Sequence, residues 1–257
     1  MGESLRLCTW NIQLGLQREL ILDAIRRQPD FAGLDLLALQ EASVGGERED
    51  AKLIAAALGS AYECYQVTAH HLGGRPQANA LVWNTARVRV TQKDSVKLPQ
   101  VREVKLSRSE GALLRALPAQ PRISLVVEGS LGAESLRVYV AHLDVLGFAH
   151  KRQQFYRVID DARARAPVDL TIIAGDLNTF RFRSRPSWTE LVHAAEAEGF
   201  YELTSQIRWT HSAPRLRLKQ KLDAIFVGRS RPFRYHCWAL EIPGSDHIPV
   251  FAELTLE

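Results

Sequence analysis

The sequence predicts an α/β fold in which two β-sheets pack together with helices outside. Short apolar runs rich in β-formers recur from one end to the other. Only four segments between them carry helical spacing. No linker, repeat or compositional shift divides the 257 residues, so a single domain over 1–257 is expected.

In chain order, Leu5 to Thr9 alternates as a strand does. Leu16, Leu20, Ala24 and Ile25 share a helical face, and Pro29 follows its end. Leu34 to Leu39 is a continuous apolar run around Asp35, the pattern of a strand covered on both faces. Asp50 is placed to cap a helix over Ala51–Leu58, with Gly59 after it. Strands are expected at Tyr62–Thr68, Ala78–Trp83, Ile123–Glu128 and Leu136–Ala141. Phe155, Val158, Ile159 and Ala162 line one face of a helix that Pro167 closes. A strand at Leu170–Ala174 follows. Ser187 and Glu190 form a capping-box pattern before Leu191 and Val192, and Gly199 ends that helix. The last two expected strands are Leu222–Val227 and Pro249–Leu256.

Apolar residues at 46% and charged residues at 24% are ordinary for a globular protein. A chain of this length buries a core without staples. The three cysteines, Cys8, Cys64 and Cys237, are too scattered for a disulfide framework or a zinc cluster. MGESLRLCTWN shows no signal peptide, and no run approaches membrane-spanning length, so a soluble cytoplasmic protein is expected. A net charge of +4 weakly favours anionic partners. No stable protein partner is inferred.

Five short strings share one design. TWN at Thr9–Asn11, LQE at Leu39–Glu41, AHLD at Ala141–Asp144, AGDLNT at Ala174–Thr179 and SDHIP at Ser245–Pro249 each place a carboxylate, amide or imidazole at a probable strand end. In α/β folds ligands gather where strands emerge into loops. Glu41, Asp176, Asn178 and Asp246 offer only oxygen, and Asn11 adds an amide; such hard donors suit Mg²⁺ or Mn²⁺. His247 is the candidate general base, because phosphodiester hydrolysis needs an aligned water. Asp223, inside the apolar strand LDAIFV, is its candidate partner, since an unpaired Asp there is costly to bury. His142 is a second imidazole, suited to a phosphoryl oxygen or the leaving group.

TWN, LQE, NALVWN, AHLD, GDLN, LDAIF and SDHIP stand in the order found in the endonuclease/exonuclease/phosphatase superfamily, which the chain resembles from Thr9 to Pro249. That resemblance implies a four-layered α/β sandwich, two mixed β-sheets packed face to face with helices outside, with the site at one edge. It implies that Glu41 binds the metal with Asn11 close by. It further implies that Asp176 positions or activates the nucleophilic water, Asn178 holds the phosphate, and Asp246 binds or steers metal. His247, paired with Asp223, would act on the scissile phosphate. Deoxyribonuclease-like members pair the histidine matching His142 with a glutamate in the strand that here reads ANALVWN. No glutamate occurs there, and Asn79 is the available substitute.

Two basic stretches adjoin these residues. Arg181, Arg183 and Arg185 alternate with Phe180 and Phe182 directly after GDLNT. From Ser205 to Tyr235 there are eight Lys/Arg against one acid, Asp223. Arg181, Arg217 and Lys219 are therefore candidates to hold a polyanion, with Trp209 or Phe182 stacking on a base. A solvated strand face is the competing reading. Arg152, opening a helix after the His142 loop, is a further candidate, or simply a surface charge. The expected function is divalent-metal-dependent hydrolysis of phosphodiester bonds, in nucleic acid first. A sphingomyelinase-like or small phosphoester hydrolase is the alternative, and a non-catalytic phosphate-binding module is the third reading.

Overall fold

Strict alternation along the strands decides which side chains meet between the sheets and which meet the helices. The computed structural model describes residues 3–45, 48–72, 75–100, 121–145, 148–179, 187–213 and 218–257. One six-stranded sheet has the order β15 (Phe233–Ala239), β16 (Val250–Leu256), β1 (Glu3–Asn11), β2 (Leu36–Ala42), β6 (Arg75–Asn84), β5 (Tyr62–Leu72). The other has the order β11 (Phe200–Glu202), β14 (Asp223–Gly228), β10 (Leu170–Asp176), β9 (Glu134–His142), β8 (Arg122–Leu131), β7 (Val88–Leu98). Two short ribbons, β3 (Val44–Gly45) with β4 (Arg48–Glu49) and β12 (His211–Ala213) with β13 (Leu218–Gln220), complete the strands. The helices are α1 (Arg18–Arg27), α2 (Asp50–Leu58), α3 (Phe148–Ala164) and α4 (Ser187–Ala197).

Each sheet is mixed in the same way. A central parallel pair, β1 with β2 or β9 with β10, is flanked by antiparallel neighbours. Leu5, Leu7, Leu36, Ala38, Val138, Val140, Ile172, Ala174, Ile225 and Val227 pack between the sheets. A side chain as enclosed as Ile225 contributes about 1.5–3 kcal/mol there. The alternate residues face outward. Cys8, Trp10, Leu37 and Leu39 meet Ile21, Ile25 and Ile54 of α1 and α2. Tyr139, Ala141, Ile173 and Phe226 meet Phe155, Val158, Trp188 and Leu191 of α3 and α4. The result is the expected helix–sheet–sheet–helix sandwich. Among the described residues no helix is long and apolar enough to cross a membrane.

Three local expectations change. The α1 face is Ile21, Leu22, Ala24 and Ile25, whereas Leu16 and Leu20 are exposed and Leu16 precedes the helix. Asp50 is the first residue of α2, but its carboxylate accepts from the backbone N and Oγ of Ser43 and from Arg18, so it ties α2 to β2 and α1. Strands β7 and β15, unmarked by alternation, are edge strands of the two sheets.

Candidate active site

The two parallel pairs end at the same edge of the sandwich. Asn11 closes β1, Gln40 stands beside it on β2, His142 closes β9 and Asp176 closes β10. The same parity that buries Leu5 and Leu7 turns Asn11 inward, and that of Ile172 and Ala174 turns Asp176 inward. Asp223 opens β14 directly opposite Asp176. Glu41 requires more than parity. A regular β2 would aim it with Leu37 and Leu39 toward the helices. A register shift between Leu39 and Ala42, with Glu41 at φ 55°, redirects it. Asn178 also has positive φ, 51°.

One amide joins the two sheets here. Asn11 Nδ2 donates to Asp176 Oδ2 at 3.0 Å and to Glu41 Oε1 at 3.3 Å. His142 Nε2 is 3.7 Å from each of the same two oxygens. His247 Nδ1 lies 2.7 Å from Asp223 Oδ2, and its Nε2 is 3.7 Å from Asp176 Oδ2. The His247 carbonyl accepts from Trp10 Nε1, which fixes the loop to the core. Asp246 Oδ2 accepts from Gln13 Nε2 at 2.9 Å and lies 3.7 Å from His211 Nε2. Asn178 is held three ways: its N donates to Asp176 Oδ1, its Nδ2 to the Leu143 carbonyl, and its carbonyl accepts from Lys151 Nζ.

Burial pushes the Glu41 and Asp176 carboxyls up, against the Asn11 hydrogen bond that favours their ionised forms. Burial lowers His247, but the Asp223 and Asp176 carboxylates outweigh it and the net shift is upward. Burial lowers Lys151 to about 8, opposed by Asp176 and Asp144. Asp246 moves the other way: burial raises it, and the neighbouring His211 and His247 rings bring it down.

Glu41, half-buried, and Asp176, buried, are thus two carboxylates that share the Asn11 amide as a donor. Carboxylate and amide oxygens are hard donors that fit a divalent cation, which Glu41 and Asn11 would hold. Asp246 stands in a second cluster with His211 and His247.

Eight expected residues therefore meet: Asn11, Glu41, His142, Asp176, Asn178, Asp223, Asp246 and His247. Asn79 is nearby, yet its Nδ2 donates to the Ile123 and Val140 carbonyls and stitches the sheets together. The group over the His142 ring is Arg122, with Nη1 3.0 Å from Nδ1 and 3.4 Å from Nε2. Arg152 pairs with Glu190 between α3 and α4 and is half-exposed. Lys219 lies 3.6 Å over the Trp209 ring. Trp209 lines a groove of about 500 Å³ with Gln13, Gln17, Ser245 and Asp246. Arg181, Arg183, Arg185, Arg215 and Arg217 lie outside the described residues. Reading the sequence missed Arg122, Lys151 and His211. Only the arginine at a strand start and the lysine in a buried helix face hinted at the first two.

The model of the Endonuclease/Exonuclease/phosphatase family matches residues 8–247. The chain belongs to that family. Phosphoester hydrolysis is the chemistry the family's name describes. Solved structures share the fold at low identity. An endonuclease/exonuclease/phosphatase family protein from Leptotrichia buccalis has a TM-score of 0.72 at 15% identity, covering 98% of this chain and 99% of that one. TDP2 from D. rerio, complexed with single strand DNA product, has a TM-score of 0.72 at 14% identity, with 98% and 99% covered. A family member from Bacteroides thetaiotaomicron has 0.71 at 17% identity, with 100% and 99% covered. No curated protein is significantly similar to the chain.

Proposed function

We propose that the chain is a Mg²⁺- or Mn²⁺-dependent hydrolase of phosphodiester bonds in nucleic acid. The observation that carries the reading is the Asn11 amide spanning Glu41 and Asp176 beside the Asp223–His247 pair. Asp176 orients the attacking water and, with its carboxyl raised by burial, takes its proton. The new bond joins the water oxygen to phosphorus as the bond to the leaving oxygen breaks, and that oxygen takes a proton from solvent, giving a phosphomonoester and an alcohol. His247, kept cationic by its carboxylate neighbours and therefore not the base its sequence context suggested, faces the charge that develops on the phosphoryl oxygens. Asn178 and His142 hold the remaining oxygens, and Lys151 and Arg122 add positive charge behind them. Glu41 and Asn11 would hold a divalent cation, with Asp246 steering it, and the cation would supply Lewis-acid polarisation of the phosphoryl group.

Nucleic acid is favoured over a small ester by the Trp209–Lys219 stack at the groove beside Asp246, since an aromatic face next to a cation suits a base and its phosphate. The structural likeness to D. rerio TDP2 complexed with single strand DNA product is consistent with that choice. The test is cleavage of single-stranded and duplex oligonucleotides with Mg²⁺ or Mn²⁺, with and without chelator, beside a chromogenic small phosphodiester. Intact oligonucleotides with a hydrolysed small ester would remove nucleic acid from the reading. No turnover of either would remove the whole of it.

A further inference from the structure

His211 is an imidazole beside His247 that the proposed reaction leaves without a part, and its position is built. It begins β12, and its backbone forms an antiparallel bridge with His247. The Ser212 N–H donates to the Asp246 carbonyl and the Ile248 N–H to the Thr210 carbonyl, both at 2.8 Å, so the two segments run together. The rings of His211 and His247 have centroids 4.7 Å apart, and His211 Nε2 is 3.7 Å from Asp246 Oδ2.

We infer that His211, Asp246 and His247 form a second cation site, distinct in chemistry from the oxygen set at Glu41, that takes a borderline transition metal such as Zn²⁺ or Co²⁺.

Three observations lead there. The ligand atoms of the three side chains lie within 4.8 Å of one another. Donors on a tetrahedral ion stand about 3.4 Å apart, so small side-chain rotations close the site. Two imidazoles and a carboxylate are a donor set that borderline metals prefer and Mg²⁺ does not. The supporting contacts are those of a metal site. His247 Nδ1 is held by Asp223 at 2.7 Å, leaving Nε2 for the metal, which is the carboxylate–histidine arrangement that orients metal-bound imidazoles. Gln13 holds the Asp246 carboxylate at 2.9 Å. The site is also reachable, because Asp246 lines the groove of about 500 Å³ and its side chain is 34% exposed.

The consequence rests on the proposed reaction. An ion on His247 Nε2 replaces the proton there and withdraws the residue from the phosphate. Zn²⁺ therefore inhibits turnover that Mg²⁺ supports.

Zn²⁺ titration calorimetry and Co²⁺ absorption, in Mg²⁺-free buffer, read binding without reference to activity. Wild type and Glu41→Gln are expected to bind one Zn²⁺ alike, and His211→Gln at least about tenfold more weakly. His211→Gln is also expected to keep Mg²⁺-supported turnover and to lose its inhibition by Zn²⁺. Equal Zn²⁺ binding by wild type and His211→Gln overturns the site, as does loss of binding in Glu41→Gln alone. If His211→Gln melts early, ring NMR signals of wild type decide. Zn²⁺ shifting His211 and His247 together supports the site, and unmoved signals overturn it. Zn²⁺ binding in a protein that cleaves no phosphodiester would sink the proposed function and leave this site standing.

Discussion

Asp223 Oδ2 lies 2.7 Å from His247 Nδ1, while Asp223 Oδ1 is buried without a hydrogen-bond partner among the described residues. The carboxylate is thus committed to one imidazole, and it is almost wholly enclosed. Asp223→Asn keeps the shape but removes the charge that supports the imidazolium. Turnover is expected to fall by about 10²-fold or more, in line with the loss of a carboxylate behind a catalytic histidine. Far-ultraviolet dichroism should be unchanged. Turnover within threefold of wild type would show that Asp223 only fills its place.

Glu41 separates a backbone effect from a side-chain effect. At φ 55° a residue with a Cβ is strained by about 1 kcal/mol, and glycine is not. Glu41→Ala and Glu41→Gly both remove the carboxylate beside Asn11, so both should lose nearly all Mg²⁺-supported turnover. Their melting temperatures should differ, with the glycine variant higher by about 2–4 °C. The reverse order of melting would mean that the bulge at Glu41 is not under strain.

How far these features were legible in the sequence follows from how local their causes are. Asn11, His142, Asp176 and Asp223 could be placed because each ends or opens a strand whose alternation is readable. Glu41 was identified from its motif, but its direction depends on a bulge that alternation does not encode. Strands β7 and β15 escaped for want of a readable pattern. Half of each is wet, and VRVTQKDSVKL and FRYHCWA show little contrast between faces. Arg122 reaches His142 across 20 residues and Lys151 reaches Asn178 across 27, and nothing local announces such pairings. Asn79 shows the opposite error. It was expected to stand in as the partner of His142, but two backbone carbonyls between the sheets engage its amide nitrogen.

Lys151 links charge, stability and turnover with opposite signs. Its side chain is buried in α3 and donates to the Asn178 carbonyl, and burial lowers it to about 8. The folded protein therefore binds this proton more weakly than the unfolded chain does. Below about 8 the full cost of burying the ammonium is present, and between 8 and the ordinary lysine value stability rises with pH. The folded protein loses this positive charge behind the phosphate as pH passes about 8, so turnover should fall where stability begins to rise. Lys151→Met should show neither trend. Its turnover should be about tenfold or more below wild type at pH 7, with a melting temperature close to wild type, since a buried cation is often replaced by an apolar chain at little cost. Urea melts at pH 7.5 and 9.5 and a turnover profile over the same range check both signs. Parallel curves for wild type and Lys151→Met would refute the assignment.

Trp209 and Lys219 test what the centre acts on. The ammonium 3.6 Å over the indole face keeps that ring at the groove beside Asp246, and both side chains lie apart from the Glu41–Asp176 oxygens. Base stacking contributes about 1–3 kcal/mol per base, so Trp209→Ala should raise KM for a single-stranded oligonucleotide by about tenfold. Lys219→Ala removes a phosphate contact, and the dependence of KM on salt should become shallower by close to one unit of log–log slope. A small chromogenic phosphodiester reaches the same Asp176 and His247 without touching this groove, so neither change should alter its turnover much. Equal losses on both substrates would place Trp209 in the scaffold of the β12–β13 ribbon. Losses confined to the oligonucleotide would make the groove the feature that turns a general phosphodiester centre toward nucleic acid.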